Sequence, residues 1–202
     1  MYRALYRDPL VQQQMVDTVD ALINWRKYDP AVAGGALWSW AAGRPANDID
    51  LWVRRTWGSK KKAKKLIAQA NSFRLYKEVE GSDSYGTWTS TYDKRTLRYL
   101  GYMPTSHTKV DLILTNFGGV EASTWFDYRH CQVAFSLTQV NSTGAEYYQK
   151  ANLCPTSDYA RDKEFVEKKL QHSLWGSAEA EDKLRDVFLR LRELSDKALK
   201  ET

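Results

Sequence analysis

The stretch from Ala33 to Val53 constrains the fold more than any other part of the chain: Ala-Gly-Gly-Ala-Leu-Trp-Ser-Trp-Ala-Ala-Gly-Arg-Pro-Ala-Asn-Asp-Ile-Asp-Leu-Trp-Val. Its end, Asp48-Ile-Asp-Leu-Trp-Val53, alternates with period two and reads as a strand, which puts the Asp48 and Asp50 carboxylates on one face and Ile49 and Leu51 on the other. Gly34 and Gly35 precede Ala-Leu-Trp-Ser-Trp-Ala-Ala, a stretch of helical composition, so the pair reads as a strand-to-helix turn. Backbone N–H groups are free at such a turn, and a phosphate can approach closely. Gly43-Arg44-Pro45 then ends the helix. Two carboxylates held this close repel one another unless a cation lies between them. Hard oxygen ligands with room left for water and phosphate suit Mg²⁺ or Mn²⁺ better than zinc.

A third acid adds to the pattern. Lys109-Val-Asp-Leu-Ile-Leu-Thr115 is another apolar strand with one carboxylate inside it, Asp111. In a strand buried on both faces that group is costly unless it serves a site.

Together, Gly34-Gly35, Gly43-Arg44-Pro45, Asp48-Ile49-Asp50 and Asp111 resemble the catalytic core of the DNA polymerase β-type nucleotidyltransferase superfamily. The pattern is most similar to the head domain of tRNA CCA-adding enzymes and bacterial poly(A) polymerases, here in a minimal stand-alone form. The likeness spans residues 30–140, and Phe126–Ala134 resembles the strand that follows in CCA-adding enzymes. The resemblance implies that Asp48, Asp50 and Asp111 are the catalytic, metal-holding residues, with Mg²⁺ or Mn²⁺ as the cofactor. It implies that Gly34, Gly35, Ser39 and Arg44 contact the nucleotide. The implied reaction moves NMP from an NTP to an acceptor hydroxyl and releases pyrophosphate, with Asp111 receiving the proton. Two departures stand out: Trp38 and Ser39 occupy positions where the CCA-adding pattern has Arg and Asp, and Cys131 falls near its Asn. Glu181-Asp-Lys-Leu-Arg185 is similar to a base-selecting element of those enzymes, a pattern also commonplace on solvated helices.

The remaining punctuation predicts an α+β, two-layer domain: a mixed sheet with packed helices and a helical C-terminal tail. Helical spacing covers Asp8–Tyr28 and Ser59–Ala70, with two further helices after Ser157 broken at 173–177. Strands are expected at Ala31–Ala33, Phe73–Val79, Gly86–Ser90, Leu97–Tyr102, Lys109–Thr115 and Gln132–Leu137. These divide the chain into a nucleotidyltransferase-like domain over 1–150 and a helical appendage over 151–202. The 8 Trp, 12 Tyr and 6 Phe residues can fill a sizeable interior, and three of Trp38, Trp40, Trp52 and Trp57 are expected in the core. Cys131 and Cys154 read as thiols and not as a disulfide or zinc pair, and the histidines lack ligand spacing. No run of apolar residues reaches membrane-spanning length and the start lacks a signal-peptide core, which predicts a cytoplasmic protein.

Lys60, Lys61, Lys62, Lys64 and Lys65 supply much of the net charge of +5. They read either as a solvated face or as a surface for a polyanion such as RNA. The expected partners are an NTP and an acceptor that is RNA or tRNA, otherwise a protein or a small molecule. The alternative is a non-catalytic module on the same fold that binds nucleotide, nucleic acid or protein.

Overall fold

A computed structural model of the chain describes residues 7–54, 74–79, 97–126, 128–152 and 170–201. Helix α1 spans Pro9–Asn24, and its start is encoded locally. The Asp8 carboxylate accepts a hydrogen bond from the Leu10 N–H at 2.8 Å, and Pro9 sits in the first turn, where its missing N–H costs nothing. The stripe of Val11, Met15, Val19 and Leu22 is buried, as the helical spacing requires. The helix stops at Asn24, short of the expected Tyr28. The backbone there tightens into a 3₁₀ turn over Arg26–Tyr28, closed by the Tyr28 N–H on the Trp25 carbonyl at 2.8 Å. Asp29 then takes a left-handed φ of 47° ahead of Pro30.

Next come β1 (Ala31–Ala33), α2 (Gly35–Ala41) and β2 (Asp48–Arg54), followed by β3 (Arg74–Val79), β4 (Leu97–Tyr102) and β5 (Lys109–Thr115). The short helix α3 (Gly119–Ser123) leads to a 3₁₀ turn over Arg129–Cys131, then β6 (Ala134–Ser136), β7 (Val140–Asn141), α4 (Ala145–Gln149) and the long helix α5 (Ala180–Glu201). The strand expected over Gln132–Leu137 is shorter, and it is preceded by the 3₁₀ turn over Arg129–Cys131. The reason lies in its donors: the Gln132 N–H is spent on the Arg129 carbonyl at 3.0 Å and the Val133 N–H on the Cys131 carbonyl at 2.7 Å, so neither joins a ladder. Ser59–Ala70, Phe73, Gly86–Ser90 and the first helix expected after Ser157 lie outside the described residues.

The described strands form one seven-stranded sheet in the order β3-β4-β5-β2-β1-β6-β7. β2 and β5 run parallel at its centre; the other pairings are antiparallel. The fold is therefore α+β, with helices on both faces of a mixed sheet. On one face Ile49, Leu51, Val110 and Leu112 share the main core with Met15 and Leu22 of α1, Leu37 and Trp40 of α2, and Leu184, Val187 and Leu191 of α5. On the other face Trp52 and Ile113 pack with Val120 and Ala122 of α3, flanked by Phe117 and Phe126. Among the described residues, no helix is long and apolar enough to cross a membrane.

A buried polar hub joins α1 to the two central strands. The Gln14 side chain is 1% exposed. Its amide nitrogen donates to the Ala46 carbonyl at 2.9 Å and to the Thr108 hydroxyl at 2.8 Å, while its carbonyl oxygen accepts from the Trp40 indole and the Ala46 N–H, both at 2.9 Å. Ala46 and Thr108 lie just ahead of β2 and β5, so this one side chain pins the entry of both. Asp17, one turn further along α1, accepts from the Ser106 N–H at 2.7 Å and holds the turn between β4 and β5.

Candidate functional site

Parallel pairing of β2 with β5 sets Asp50 directly beside Asp111 and Asp48 beside Lys109. Neighbouring strands lie about 4.8 Å apart, and side chains two residues apart along a strand share a face. Asp48, Asp50, Lys109 and Asp111 therefore stand on one face, the same face that carries Trp52 and Ile113. The sheet brings together the three acids singled out in the sequence. Their settings differ: Asp48 is exposed, Asp50 is half-buried and Asp111 is 5% exposed.

Asp111 is held by a residue that the motif did not reveal. Arg98 of β4 is in register with Ile113, and its side chain reaches back to Asp111. Both Nε and Nη2 stand 2.5 Å from Asp111 Oδ2. Two charged N–H donors on one carboxylate oxygen make a strong contact, and Asp111 is largely out of water, where such a pair is weakly screened. The alternation of Leu97–Tyr102 marks Arg98 as sharing a face with Leu100. Only the register with β5 reveals that this face carries Asp111.

The glycine turn lies at the same end of the sheet, because Ala33 pairs with Asp50 and Gly34 follows it. Gly34 has φ 75° and ψ −132°, a conformation that side-chain-bearing residues avoid, and its N–H donates to the Val133 carbonyl at 2.9 Å. Ser39 is one turn along α2, with its hydroxyl donating to the Gly35 carbonyl at 3.2 Å. Arg44 has an exposed side chain, and its N–H closes the end of α2 on the Ser39 carbonyl at 3.0 Å.

Trp38, at a position where the motif resemblance has arginine, is core. Its indole N–H donates to the His130 carbonyl at 2.9 Å, and its ring stacks on Tyr148 at 3.8 Å with an 8° tilt. Trp175 and His172 meet the same tyrosine edge-on. Burial pushes the Tyr148 hydroxyl far above its ordinary value, with Cys131 adding to the rise and Arg44 opposing it. Trp40 and Trp52 are buried too, so three of the four tryptophans near the motif are core, while Trp57 lies outside the described residues. Lys60, Lys61, Lys62, Lys64 and Lys65 also lie outside them. Arg185 pairs with Glu181 at 3.5 Å and Asp182 at 3.1 Å on the exposed side of α5, an ordinary arrangement for a solvated helix.

Among the described residues, no three His, Cys, Asp or Glu side chains converge closely enough to hold a metal ion. The donor chemistry of Asp48 and Asp50, hard oxygens on one exposed and one half-buried side chain, suits a divalent cation that keeps several waters. Arg98 engages Asp111 through Oδ2.

A family model for Gad2, the Gabija anti-defense 2 family, matches residues 10–153. The chain belongs to this family. The matched stretch takes in α1, the central strands, the carboxylate face and α4. No curated protein matches the chain. Among solved structures, a CCA-adding enzyme in complex with ATP is 12% identical, with a TM-score of 0.43, covering 72% of this chain and 31% of the enzyme. The Thermotoga maritima CCA-adding enzyme complexed with tRNA is 13% identical, with a TM-score of 0.40, covering 64% of this chain and 27% of the enzyme. The chain thus spans less than a third of the length of these structures.

Proposed function

We propose that the chain is a nucleotidyltransferase-type Gad2 protein that counters the Gabija defense by moving NMP from an NTP onto a hydroxyl of an acceptor. The observation that carries this reading is the parallel register that sets Asp50 beside Asp111, with Asp48 one step along the same face and the Gly34–Gly35 turn at the same end of the sheet. This is what the motif resemblance asks of these residues. A divalent cation at Asp48 and Asp50, Mg²⁺ or Mn²⁺, supplies charge neutralisation for a triphosphate. The chain's own part is positional: Gly34 and Gly35 leave backbone close to where phosphates lie, Arg44 offers an exposed positive charge, and Gln14 fixes the entries of β2 and β5. The acceptor is RNA or tRNA, with a protein or small molecule as the other classes. Lys60, Lys61, Lys62, Lys64 and Lys65 are the candidates for polyanion contact.

Incubating the purified chain with each α-labelled NTP, Mg²⁺ and total RNA or cell lysate tests the reading. Label is expected in an acceptor with the native protein and not with Asp48→Asn/Asp50→Asn.

Two observations favour a second reading, a non-catalytic Gad2 scaffold: Trp38 is sunk in the core where the resemblance has arginine, and Asp111 is engaged by Arg98. Relief of Gabija defense by Asp48→Asn/Asp50→Asn as strong as by the native chain is the outcome that selects it.

A further inference from the structure

We propose that the Arg98 guanidinium fills the place of a second cation on this carboxylate face, so that the folded chain takes one divalent ion, at Asp48 and Asp50, and not two. The inference rests on the reading of Asp48 and Asp50 as a cation seat. It departs from the arrangement implied by the motif resemblance, in which all three acids serve metal ions.

Position comes first. Arg98 lies on β4, the strand paired to the far side of β5, and both Nε and Nη2 approach the same oxygen of Asp111 at 2.5 Å. A guanidinium stays charged at any pH a folded protein meets. The Asp111 side chain is 7% exposed and that of Arg98 24%, so a dication arriving at Asp111 meets a fixed positive charge with little water between them. Displacing Arg98 leaves its charge to be accommodated elsewhere on the same half-buried face, where Lys109 already stands in register with Asp48.

Charge balance points the same way. Asp48, Asp50 and Asp111 against Lys109 and Arg98 leave one net negative charge among these five residues. One divalent ion turns that into one net positive charge, which suits an anionic substrate. A second ion makes the face strongly cationic before any substrate arrives.

Counting bound Mn²⁺ per chain by electron paramagnetic resonance, in the absence of nucleotide, tests this without reference to activity. The full-length native chain is expected to bind one ion, Asp48→Asn/Asp50→Asn none, and Arg98→Gln two. Arg98→Lys keeps the charge and is expected to stay at one; together with the native count it serves if Arg98→Gln, which strips Asp111 of its partner, does not fold. Two ions on the native chain, or on folded Arg98→Lys, overturn the inference and leave the Asp48/Asp50 seat standing. One ion on a folded Arg98→Gln overturns the role given to Arg98. No ion on the native chain overturns the cation seat itself, and the inference with it.

Discussion

Gln14 shows how much a single side chain can carry. Four polar groups, from Trp40, Thr108 and both sides of the Ala46 peptide, are satisfied by one buried amide. Leaving a buried polar group unpaired costs about 1–3 kcal/mol each, so Gln14→Leu is expected to lower the unfolding free energy by about 3 kcal/mol or more in urea titration. Asp20 makes the opposite case. The side chain is exposed at the surface, yet partial desolvation, and then the nearby Asp17, raise its folded-state pKa above the ordinary 3.8. Because the folded chain holds that proton more tightly than the unfolded chain, ionisation disfavours folding. The penalty is absent well below pH 3.8 and present in full above the folded-state value. Asp20→Asn is therefore expected to melt higher than the native chain at pH 7, with the gap narrowing as pH falls through the carboxylate range. An equal or growing gap in acid contradicts that sign. Neither residue announces its role in the sequence. Gln14 is a polar interruption of the Val11–Met15 stripe, and only its partners, tens of residues away, turn that interruption into a hub.

At the scale of elements, β5 was legible to the residue, since an apolar run over Lys109–Thr115, interrupted by Asp111 alone between its polar ends, has few other fates. β1 and β4 were legible to the residue as well, and β2 runs one residue past the Val53 at which the sequence pattern ends. Pairing was not legible: nothing in Leu97–Tyr102 says that Arg98 lies one step from Asp111, because register is set by turns and core packing and not by local pattern. The same holds for α3, which the five-residue segment Gly-Val-Glu-Ala-Ser does not advertise. Its close seat on the sheet explains Gly119. A methyl group there would lie 2.6 Å from the Ala31 Cβ and backbone N and 2.7 Å from the Trp52 carbonyl. Gly119→Ala must therefore push α3 off the face that holds Trp52 and is expected to cost about 1–3 kcal/mol in thermal or urea unfolding. At Gly34 space is not limiting, as the nearest atom to an added Cβ is Phe126 Cε2 at 3.9 Å, but φ is +75°. Gly34→Ala is thus expected to lose roughly 1–2 kcal/mol through backbone strain alone.

In the molecule as a whole, α5 is part of the main core. Leu184, Val187 and Leu191 are buried against α1, α2 and the sheet, and Arg192 reaches across to the Ser136 and Leu137 carbonyls at the end of β6 while its guanidinium sits 5.1 Å over the Phe135 ring. Ending the chain before Ala180 is expected to abolish cooperative thermal unfolding, because it exposes that core at once. With α1, α2 and α5 on one face and α3 on the other, the central strand pair is held from both sides with its carboxylates at one end. The central claim is that those carboxylates make the chain a nucleotidyltransferase-type Gad2 protein. The most direct measurement is transfer of α-labelled NMP by the native chain and by Asp50→Asn, in Mg²⁺, to RNA, protein and small-molecule fractions of a lysate. Label is expected in one fraction with the native chain, with a loss of about a hundredfold or more with Asp50→Asn, the order expected when a group that stabilises the transition state is removed. Absence of label in every fraction, or equal label from both proteins, contradicts it.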